Sequence, residues 1–225
     1  MNNFKRKRKK GLSPRLRYPL RKSISLVGLM GSGKTTIGVR LARRLHSKFV
    51  DSDHEIEAAA GHSVAEIFEK FGEEDFRKGE RRVISRLITQ EKNIVLGTGG
   101  GAFMDLKTRG RLKAQTIVIW LKVDVELLVE RTARRDTRPL LQKGNPRKIL
   151  QKLIEERYPV YEEAHIIVES GQGPHDKVVN DIIWKLNKYL AIEKKKYQRR
   201  MARQRARAKN ENNATGNEND VKDNS

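Results

Sequence analysis

The stretch Gly28-Leu29-Met30-Gly31-Ser32-Gly33-Lys34-Thr35 decides the fold of this 225-residue chain. It follows the apolar run 23–27 and matches the phosphate-binding pattern G-x-x-x-x-G-K-[ST]. Glycines there allow consecutive backbone N–H groups to point at phosphate oxygens, and the helix that follows presents its positive N-terminus. In such a loop Lys34 reaches the β- and γ-phosphates of a nucleotide, and the Thr35 hydroxyl binds Mg²⁺. A glycine-rich turn without a ligand is the alternative, and the strand–loop–helix setting favours nucleotide binding.

Short apolar runs alternate with helical periods on both sides of this loop. Strands of four to seven residues separated by helices indicate an α/β fold, a parallel sheet covered by helices on both faces. Trp120, in a strand, and Trp184, on the last helix, are expected in the core. The predicted strands are 23–27, 48–51, 93–97, 116–122 and 166–169. The predicted helices are 34–46, 64–90 (broken or continuous at Gly72), 105–112, 124–133, 146–163 and 174–189.

Charge is concentrated at the two ends of the chain. The sequence has 49 Lys and Arg against 28 Asp and Glu, a net charge of +21 that by itself suggests a nucleic-acid-binding protein. Residues 1–21 contribute +9, residues 194–225 contribute +6, and residues 22–193 contribute only +6. We therefore predict a central domain at 22–193, a disordered basic extension at 1–21, and a tail at 194–225 that is basic and then polar. The tail is expected to be disordered, with a helical extension over 194–209 as the alternative.

Composition also narrows the class of protein. The chain has no cysteine, which excludes a disulfide framework and thiolate zinc sites and fits a reducing compartment. Its best apolar run, 116–121, ends at Lys122, far short of the roughly 18 residues that a membrane span needs. No apolar stretch follows the basic start before Ile24, so a signal peptide is not expected. We expect a cytoplasmic protein with no membrane partner.

Two acids, Asp51 and Asp53, follow the second predicted strand. Ligands of open parallel sheets bind beyond the carboxyl ends of the strands, so both carboxylates are expected where a phosphate acceptor or Mg²⁺ would lie. The alternative is that Ser52 or Asp53 caps a helix beginning at His54. The phosphate-binding loop upstream favours the functional interpretation.

Further segments occur in the order found in one enzyme family. Over residues 22–190 the chain resembles the shikimate kinases, through the loop, the two acids and the segments given at the end of this paragraph. The resemblance implies a P-loop fold like that of the nucleoside monophosphate kinases, with a five-stranded parallel sheet and a mobile lid. It also implies ATP-dependent phosphorylation of the 3-hydroxyl group of shikimate, in aromatic amino-acid biosynthesis, by a monomer. The segments are Gly61-His62-Ser63-Val64-Ala65-Glu66-Ile67-Phe68, Phe76-Arg77-Lys78-Gly79-Glu80, Gly99-Gly100-Gly101, Arg138-Pro139-Leu140-Leu141 and Glu156-Arg157-Tyr158-Pro159-Val160-Tyr161.

On the nucleotide side, the resemblance implies a set of roles around the phosphates. Asp53 is the candidate base, Asp51 and Thr35 hold Mg²⁺, and catalysis rests on Lys34, Asp53 and Arg138. Residues 131–138 resemble the lid, which excludes water during phosphoryl transfer; a solvated basic loop is the alternative. Arg131 would stack on adenine, and Arg138 would fold onto the phosphates. The implied nucleotide-binding residues are Gly31, Ser32, Gly33, Lys34, Thr35, Thr36, Arg131 and Arg138.

On the acceptor side, the residue types suit a small ring that carries one carboxylate and three hydroxyl groups. Guanidinium groups bind carboxylates through a planar fork of donors, and Arg77 and Arg157 match the family's carboxylate-binding arginines. Glu80, three residues after Arg77 on the same helical face, can hold that guanidinium. The implied substrate-binding residues are Asp53, Arg77, Gly99, Gly100, Gly101 and Arg157, with Phe68 and Phe76 as apolar walls or, alternatively, core.

Two other functions remain open from the sequence. The basic ends suggest a protein that contacts nucleic acid or another polyanion non-specifically, with or without kinase activity. The chain could also phosphorylate a different small hydroxy acid, or be an inactive kinase, although Lys34, Asp53, Arg77, Arg138 and Arg157 are all present and argue against both.

Overall fold

One parallel sheet of five strands forms the centre of the molecule. In the computed structural model, which describes residues 14–133 and 144–219 and side chains up to residue 205, the strand order is β2-β3-β1-β4-β5. The predicted strands are confirmed, with β3 one residue shorter than expected. The strands are β1 Ser23–Val27, β2 Lys48–Asp51, β3 Ile94–Gly97, β4 Thr116–Lys122 and β5 Ile166–Glu169. Because β1 is central, the loop that leaves it lies in the middle of the carboxyl edge of the sheet.

Helices cover both faces of the sheet, as predicted. Along β1, Ile24 and Leu26 belong to a core shared with α1 and α7, whereas Val27 belongs to the core on the opposite face, beneath α3. The helices are α1 Lys34–Leu45, α2 Ser52–Ala60, α3 Val64–Gln90, α4 Leu106–Gln115, α5 Val125–Ala133, α6 Pro146–Tyr161 and α7 His175–Asn219, with a 3-10 turn at Ala102–Met104. Within the two described ranges, no helix combines the length and apolar content needed to cross a bilayer.

Helix α2 was missed by the helix predictions. It begins at Ser52, and the side chain of Asp51 accepts a hydrogen bond from the backbone N–H of Asp53. The capping residue is therefore Asp51, not Ser52 or Asp53, and the helix starts two residues before His54. Ser52 does not cap the helix. Its buried hydroxyl instead accepts a hydrogen bond from the N–H of Gly99 at 3.0 Å.

Helix α3 is broken at Gly72, where the backbone has φ 78° and ψ 175°. Its N-terminus is fixed by a capping box in which Ser63 and Glu66 satisfy each other's backbone N–H groups. The second part of α3, after the break, carries Arg77 and Glu80 toward the sheet.

Helix α7 runs far beyond the expected domain end at residue 193. It has the helical extension over 194–209 and continues to Asn219, where we had expected a disordered tail. The reason is compositional, because residues 175–215 contain neither glycine nor proline and residues 194–209 are mostly Lys, Arg, Gln and Ala. Trp184 is 47% exposed on α7, so its predicted core position is wrong, whereas Trp120 is fully buried as expected.

The described part of the N-terminal extension lies against α7. We had expected residues 1–21 to be disordered, yet Leu16 and Leu20 pack against the core beside Tyr189 and Leu190. The N–H of Arg17 donates to Asn187 Oδ1 at 2.7 Å, and Asn187 Nδ2 donates to the carbonyl of Arg15 at 3.0 Å. Alternating apolar side chains explain this docking, since Leu16, Tyr18 and Leu20 face the protein. The boundaries of the central domain stay a prediction.

Candidate active site

The phosphate-binding loop has the backbone that its glycines predict. Gly28, Gly31 and Gly33 have φ values of 143°, 79° and 90°, which side chains with a Cβ rarely adopt. The ammonium group of Lys34 donates to the carbonyls of Gly28 at 2.8 Å and Leu29 at 3.0 Å. The Lys34 side chain is thus folded back over the phosphate-binding loop.

Oxygen donors from two elements meet beside the loop. The Thr35 hydroxyl, in the first turn of α1, donates to Asp51 Oδ2 at 3.1 Å at the end of β2. Mg²⁺ prefers hard oxygen ligands and is commonly held by only one or two protein groups, together with water and phosphate oxygens. Thr35 and Asp51 fit that pattern, and the described residues include no cluster of three or more His or acidic side chains arranged around a metal.

Asp53 lies in a site that disfavours its charge. Burial raises the pKa of its carboxyl group, the neighbouring Asp51 raises it further, and Lys34 opposes the shift. A Cβ added at Gly99 would lie 2.7 Å from Asp53 Oδ1 and 2.8 Å from Glu80 Oε1. Glycine at this position therefore lets the backbone approach two carboxyl groups at once.

Arg77 is held by two acids of its own helix. Its guanidinium donates to Glu80 Oε2 at 2.7 Å and to Glu73 Oε1 at 3.1 Å. Burial alone would lower the pKa of Arg77, but the two acids outweigh it and the net shift is upward. Glu80 is only 1% exposed, and burial raises the pKa of its carboxyl group against the pull of Arg77. The predicted pairing of Arg77 with Glu80 is thus present.

Two glycines after β3, Gly100 and Gly101, lie against Arg157 and Arg77 respectively. A Cβ at Gly101 would come within 2.4 Å of the Arg77 guanidinium, so a side chain there is incompatible with the observed position of Arg77. Arg157, from α6, donates to the carbonyl of Gly100 at 3.0 Å. The hydroxyl of Tyr161, one turn later on α6, donates to the same carbonyl.

A cavity of about 410 Å³ opens between α3, α6 and the glycines. Arg77 and Arg157 both line it, together with Gly101 and Met104. An ion pair between Arg81 and Asp105, 2.8 Å apart, forms part of its wall. Glu73, Glu74 and Glu156 also line the cavity. Its two guanidinium groups, from different helices, can bind a small carboxylate.

Arg131 lies on the other side of the phosphate-binding loop. It is the seventh residue of α5, so the start of the predicted lid is helical. Its guanidinium donates to the carbonyl of Gly171 at 2.9 Å, and it approaches the carbonyl of Gly31 at 3.4 Å. Burial lowers the pKa of Arg131. Arg138 and the rest of the predicted lid lie outside the described residues.

The structure brings most of the predicted site residues together and adds two. Ser52 fixes the N–H of Gly99, and Tyr161 fixes the carbonyl of Gly100; neither was assigned a role from the sequence. The position of Tyr161, four residues after Arg157 on one helix, is the signal that could have indicated it. Phe76 is buried, with its ring centroid 4.5 Å from that of Phe68, so Phe76 belongs to the core.

Comparisons with known proteins agree with one another. The model of the shikimate kinase family matches residues 30–187. A shikimate kinase of Paramagnetospirillum magneticum is 51% identical over 183 residues, which cover 81% of this chain and 93% of that protein. One from Caulobacter vibrioides is 51% identical over 166 residues, 73% of this chain and 82% of its own. The solved structure of the Acinetobacter baumannii shikimate kinase in complex with shikimate is 43% identical and superposes with a TM-score of 0.69, covering 77% of this chain and 95% of that one.

Proposed function

Because the chain belongs to the shikimate kinase family, we propose that it transfers the γ-phosphoryl group of ATP to the 3-hydroxyl group of shikimate. The products are shikimate 3-phosphate and ADP, on the route to chorismate and the aromatic amino acids. One observation carries this proposal beyond family membership. Two arginines line a cavity for a small carboxylate, and this cavity adjoins the glycines that approach Asp53, which itself lies near Lys34.

On the nucleotide side, the N–H groups of residues 31–36 bind the phosphates of ATP. Lys34 stabilises the charge of the transferring group, since phosphoryl transfer depends mainly on positioning and neutralisation. Arg131 lies where it can contact the adenine, beside the carbonyl of Gly171. Arg138 is proposed as the lid residue that closes on the phosphates.

On the acceptor side, Arg77 and Arg157 bind the carboxylate of shikimate. The backbone of Gly99, Gly100 and Gly101 lies against the ring because no side chain intervenes. Asp53 accepts the proton of the attacking hydroxyl group as the oxygen bonds to phosphorus. Its raised pKa supports this role, since a stronger base takes the proton more readily.

The metal proposed for this site is Mg²⁺. Thr35 and Asp51 would hold it, and their oxygens already lie 3.1 Å apart. Bound together with ATP, Mg²⁺ neutralises negative charge on the phosphates.

The test is shikimate-dependent release of ADP from the purified full-length chain. We expect release with ATP, Mg²⁺ and shikimate together, and none when shikimate or Mg²⁺ is left out. Gluconate and nucleoside monophosphates serve as alternative acceptors in the same assay. ADP release with one of these and not with shikimate would assign a different substrate, and no release with any of them would indicate an inactive kinase.

Replacing the arginines by lysine tests the carboxylate site. Arg77→Lys and Arg157→Lys keep the charge but lose the planar fork of donors, so we expect the KM for shikimate to rise about tenfold or more. The KM for ATP should change less than about twofold, because neither residue is proposed to touch the nucleotide.

Arg86→Lys is the matched control for these variants. Arg86 lies on the same helix but points elsewhere, paired with Glu55 at 3.1 Å. An equal rise in the KM for shikimate in all three variants would contradict the assignment of Arg77 and Arg157.

Oligomeric state, cellular location and contact with nucleic acid are further proposals. We propose a monomer located in the cytoplasm, a compartment that the absence of cysteine fits. Non-specific contact of the basic ends with nucleic acid is a separate proposal, and it does not depend on the kinase reaction.

A further inference from the structure

The C-terminal part of α7 extends beyond the body of the protein. The last residues of α7 that pack against the core are Leu186, Tyr189 and Leu190. Residues 194–219, called the overhang here, continue the helix for about 40 Å at 1.5 Å per residue. From residue 194 to residue 205, every described residue is exposed except Met201, which is half-buried.

The overhang carries one sign of charge over most of its circumference. Residues 194–209 contain nine Lys and Arg and no acid. At 3.6 residues per turn, the seven of these cations at residues 194–205, where side chains are described, are spread over about 240° of the helix. The remaining narrow stripe contains Tyr197, Met201 and Gln204. A helix that lies in a membrane interface needs a strongly apolar face, and this stripe offers only Tyr197 and Met201 among the described side chains.

The N-terminal segment, residues 14–21, brings a second group of cations to the base of the overhang. Its apolar side chains face α7, and Arg15, Arg17 and Arg21 alternate with them and are exposed. The segment is tied to α7 through Asn187, and the ammonium group of Lys194 lies 5.8 Å from the centroid of the Tyr18 ring. Two basic blocks that are about 170 residues apart in sequence are thus adjacent in the structure.

We propose that the overhang and the N-terminal segment together bind the phosphate backbone of double-stranded nucleic acid, without reading its sequence. An α-helix of about 10–12 Å diameter fits the major groove, which is about 12 Å wide. Cations over 240° of such a helix face the phosphates on both walls of the groove. Arg15, Arg17 and Arg21, at the base of the overhang, would contact the adjoining backbone. The inference rests on the proposed nucleic-acid contact and not on the kinase reaction.

This surface and the active site lie at opposite edges of the sheet. Helix α7 begins after the carboxyl end of β5, near Gly171 and Arg131, and runs back toward the amino edge. The N-terminal segment likewise leads directly into the amino end of β1. A duplex bound to the overhang therefore leaves the phosphate-binding loop accessible.

The experiment measures binding of the full-length chain to a fluorescent DNA duplex of about 20 base pairs as salt is varied. One variant, Arg199→Gln/Arg200→Gln/Arg203→Gln, removes three cations of the overhang and keeps its helix propensity. The matched control, Arg82→Gln/Lys92→Gln/Lys107→Gln, removes three exposed cations from the body of the protein. Both variants have the same net charge, so only the location of the charge differs.

We expect the overhang variant to bind the duplex about tenfold or more weakly at about 0.1 M salt, and the control to bind within about twofold of the unaltered chain. Each lost phosphate contact should also make the negative slope of log K against log salt shallower by about 0.9. Shikimate-dependent ADP release should be unchanged in both variants.

Three results would overturn the inference. They are an equal loss of binding in both variants, an unaltered chain that does not bind the duplex, and tighter binding to phosphatidylserine vesicles than to the duplex at the same salt. Failure of the kinase proposal would show itself separately, as absent ADP release with normal duplex binding.

Discussion

At the scale of single residues, Asp53 has to lose its proton in surroundings that favour keeping it. Burial and the negative charge of Asp51 raise the pKa of Asp53, whereas Lys34 and a hydrogen bond from Ser52 lower it, with a net upward shift. This environment suits a group that must take a proton from a hydroxyl group. It also makes the ionised form costly for folding.

Replacing Asp53 by asparagine separates these two effects. Without the base, kcat should fall by about 10²-fold or more. When the pKa of an acid is higher in the folded than in the unfolded state, its contribution to stability is completely present at low pH. That contribution is lost as the pH rises through the folded-state pKa. Asparagine never ionises, so Asp53→Asn should be more stable than the unaltered chain at neutral pH, by about 1 kcal/mol. Urea unfolding at several pH values should show this advantage vanishing toward acid pH.

Glu66→Gln is a control for which we expect the opposite change in folding stability. Hydrogen bonds from Ser63 lower the pKa of Glu66, so its contribution to stability is present at neutral pH and is lost as pH falls. The glutamine variant should therefore be the less stable protein at neutral pH. If both variants were less stable than the unaltered chain at neutral pH, the assignment for Asp53 would be refuted.

The hydroxyl group of Tyr161 is predicted to position the acceptor site. Burial raises the pKa of Tyr161 to about 12, so it remains a neutral donor to the carbonyl of Gly100. Tyr161→Phe should raise the KM for shikimate about three- to tenfold with a smaller change in kcat, since the carbonyl keeps only Arg157.

Tyr158→Phe is its matched control on the same helix. The hydroxyl of Tyr158 bonds the carbonyl of Val123, away from the glycines. Both variants should lose about 1 kcal/mol of stability in urea unfolding, but only Tyr161→Phe should shift the KM. A KM change of the same size in Tyr158→Phe would point to loosening of α6 as a whole.

The phosphate-binding motif predicted Lys34, because its chemistry demands one residue type at one spacing. Arg77 and Arg157 were predicted through the resemblance to the shikimate kinases. Tyr161 could not be assigned in this way, since a buried tyrosine is equally compatible with a core position. Ser52 was hidden for a different reason. Its partner Gly99 is 47 residues away, and only the pairing of β2 with β3 brings the two together.

At the scale of elements, α3 contains two glycines with opposite roles. Gly72 has a left-handed φ of 78° and breaks the helix, which sets the direction of the part that carries Arg77. Gly79 lies in the regular part of the helix, and a Cβ there would meet nothing within 4 Å. The backbone conformation at Gly72 therefore requires glycine, whereas that at Gly79 does not.

Alanine substitutions should therefore have opposite signs at these positions. Gly79→Ala should stabilise the protein by about 1 kcal/mol, the difference in helix propensity between the two residues. Gly72→Ala should destabilise it by about 1–3 kcal/mol, because alanine does not tolerate this backbone conformation. Thermal or urea unfolding measures both, and stabilisation by Gly72→Ala would show that the break is not needed for the fold.

The helices were predicted less well than the strands. Helix α2 was missed because its nine residues bury only Ser52 and Ile56 and so show little periodicity. The far end of α7 was placed too early because polar, basic composition resembles a disordered tail, although residues 194–215 contain neither glycine nor proline. All the strands except β2 are apolar runs rich in Val and Ile, and such runs favour β-strands.

At the scale of the whole molecule, the N-terminal segment 14–21 acts as part of the fold. Leu16 and Leu20 pack beside α7 at the amino edge of the sheet. The alternating apolar side chains of this stretch did not suffice to predict the docking, because the surface that they cover is formed by residues about 170 positions later. The parallel sheet itself, in contrast, followed from the alternation of strands and helices.

The double variant Leu16→Ala/Leu20→Ala tests this contribution. We expect a loss of about 2 kcal/mol in urea unfolding, less than for two fully buried leucines because both side chains are only partly covered. Leu106→Ala is the control, since Leu106 is 73% exposed and should cost little. Equal effects of the two changes would mean that the segment does not stabilise the fold. Kinetic constants should be unchanged in Leu16→Ala/Leu20→Ala, because this segment lies at the amino edge of the sheet and not beside the cavity.

The two tryptophans give this protein a built-in pair of optical reporters. Trp120 is fully buried and lies edge-on against Tyr158, with a 4.8 Å separation of ring centroids, whereas Trp184 is half exposed on α7. Iodide in solution should therefore quench the emission of one indole and spare the other. In a Trp184→Phe variant the remaining emission would come only from the indole packed against α6, the helix that carries Arg157 and Tyr161. Titration with substrates could then be followed without any attached dye.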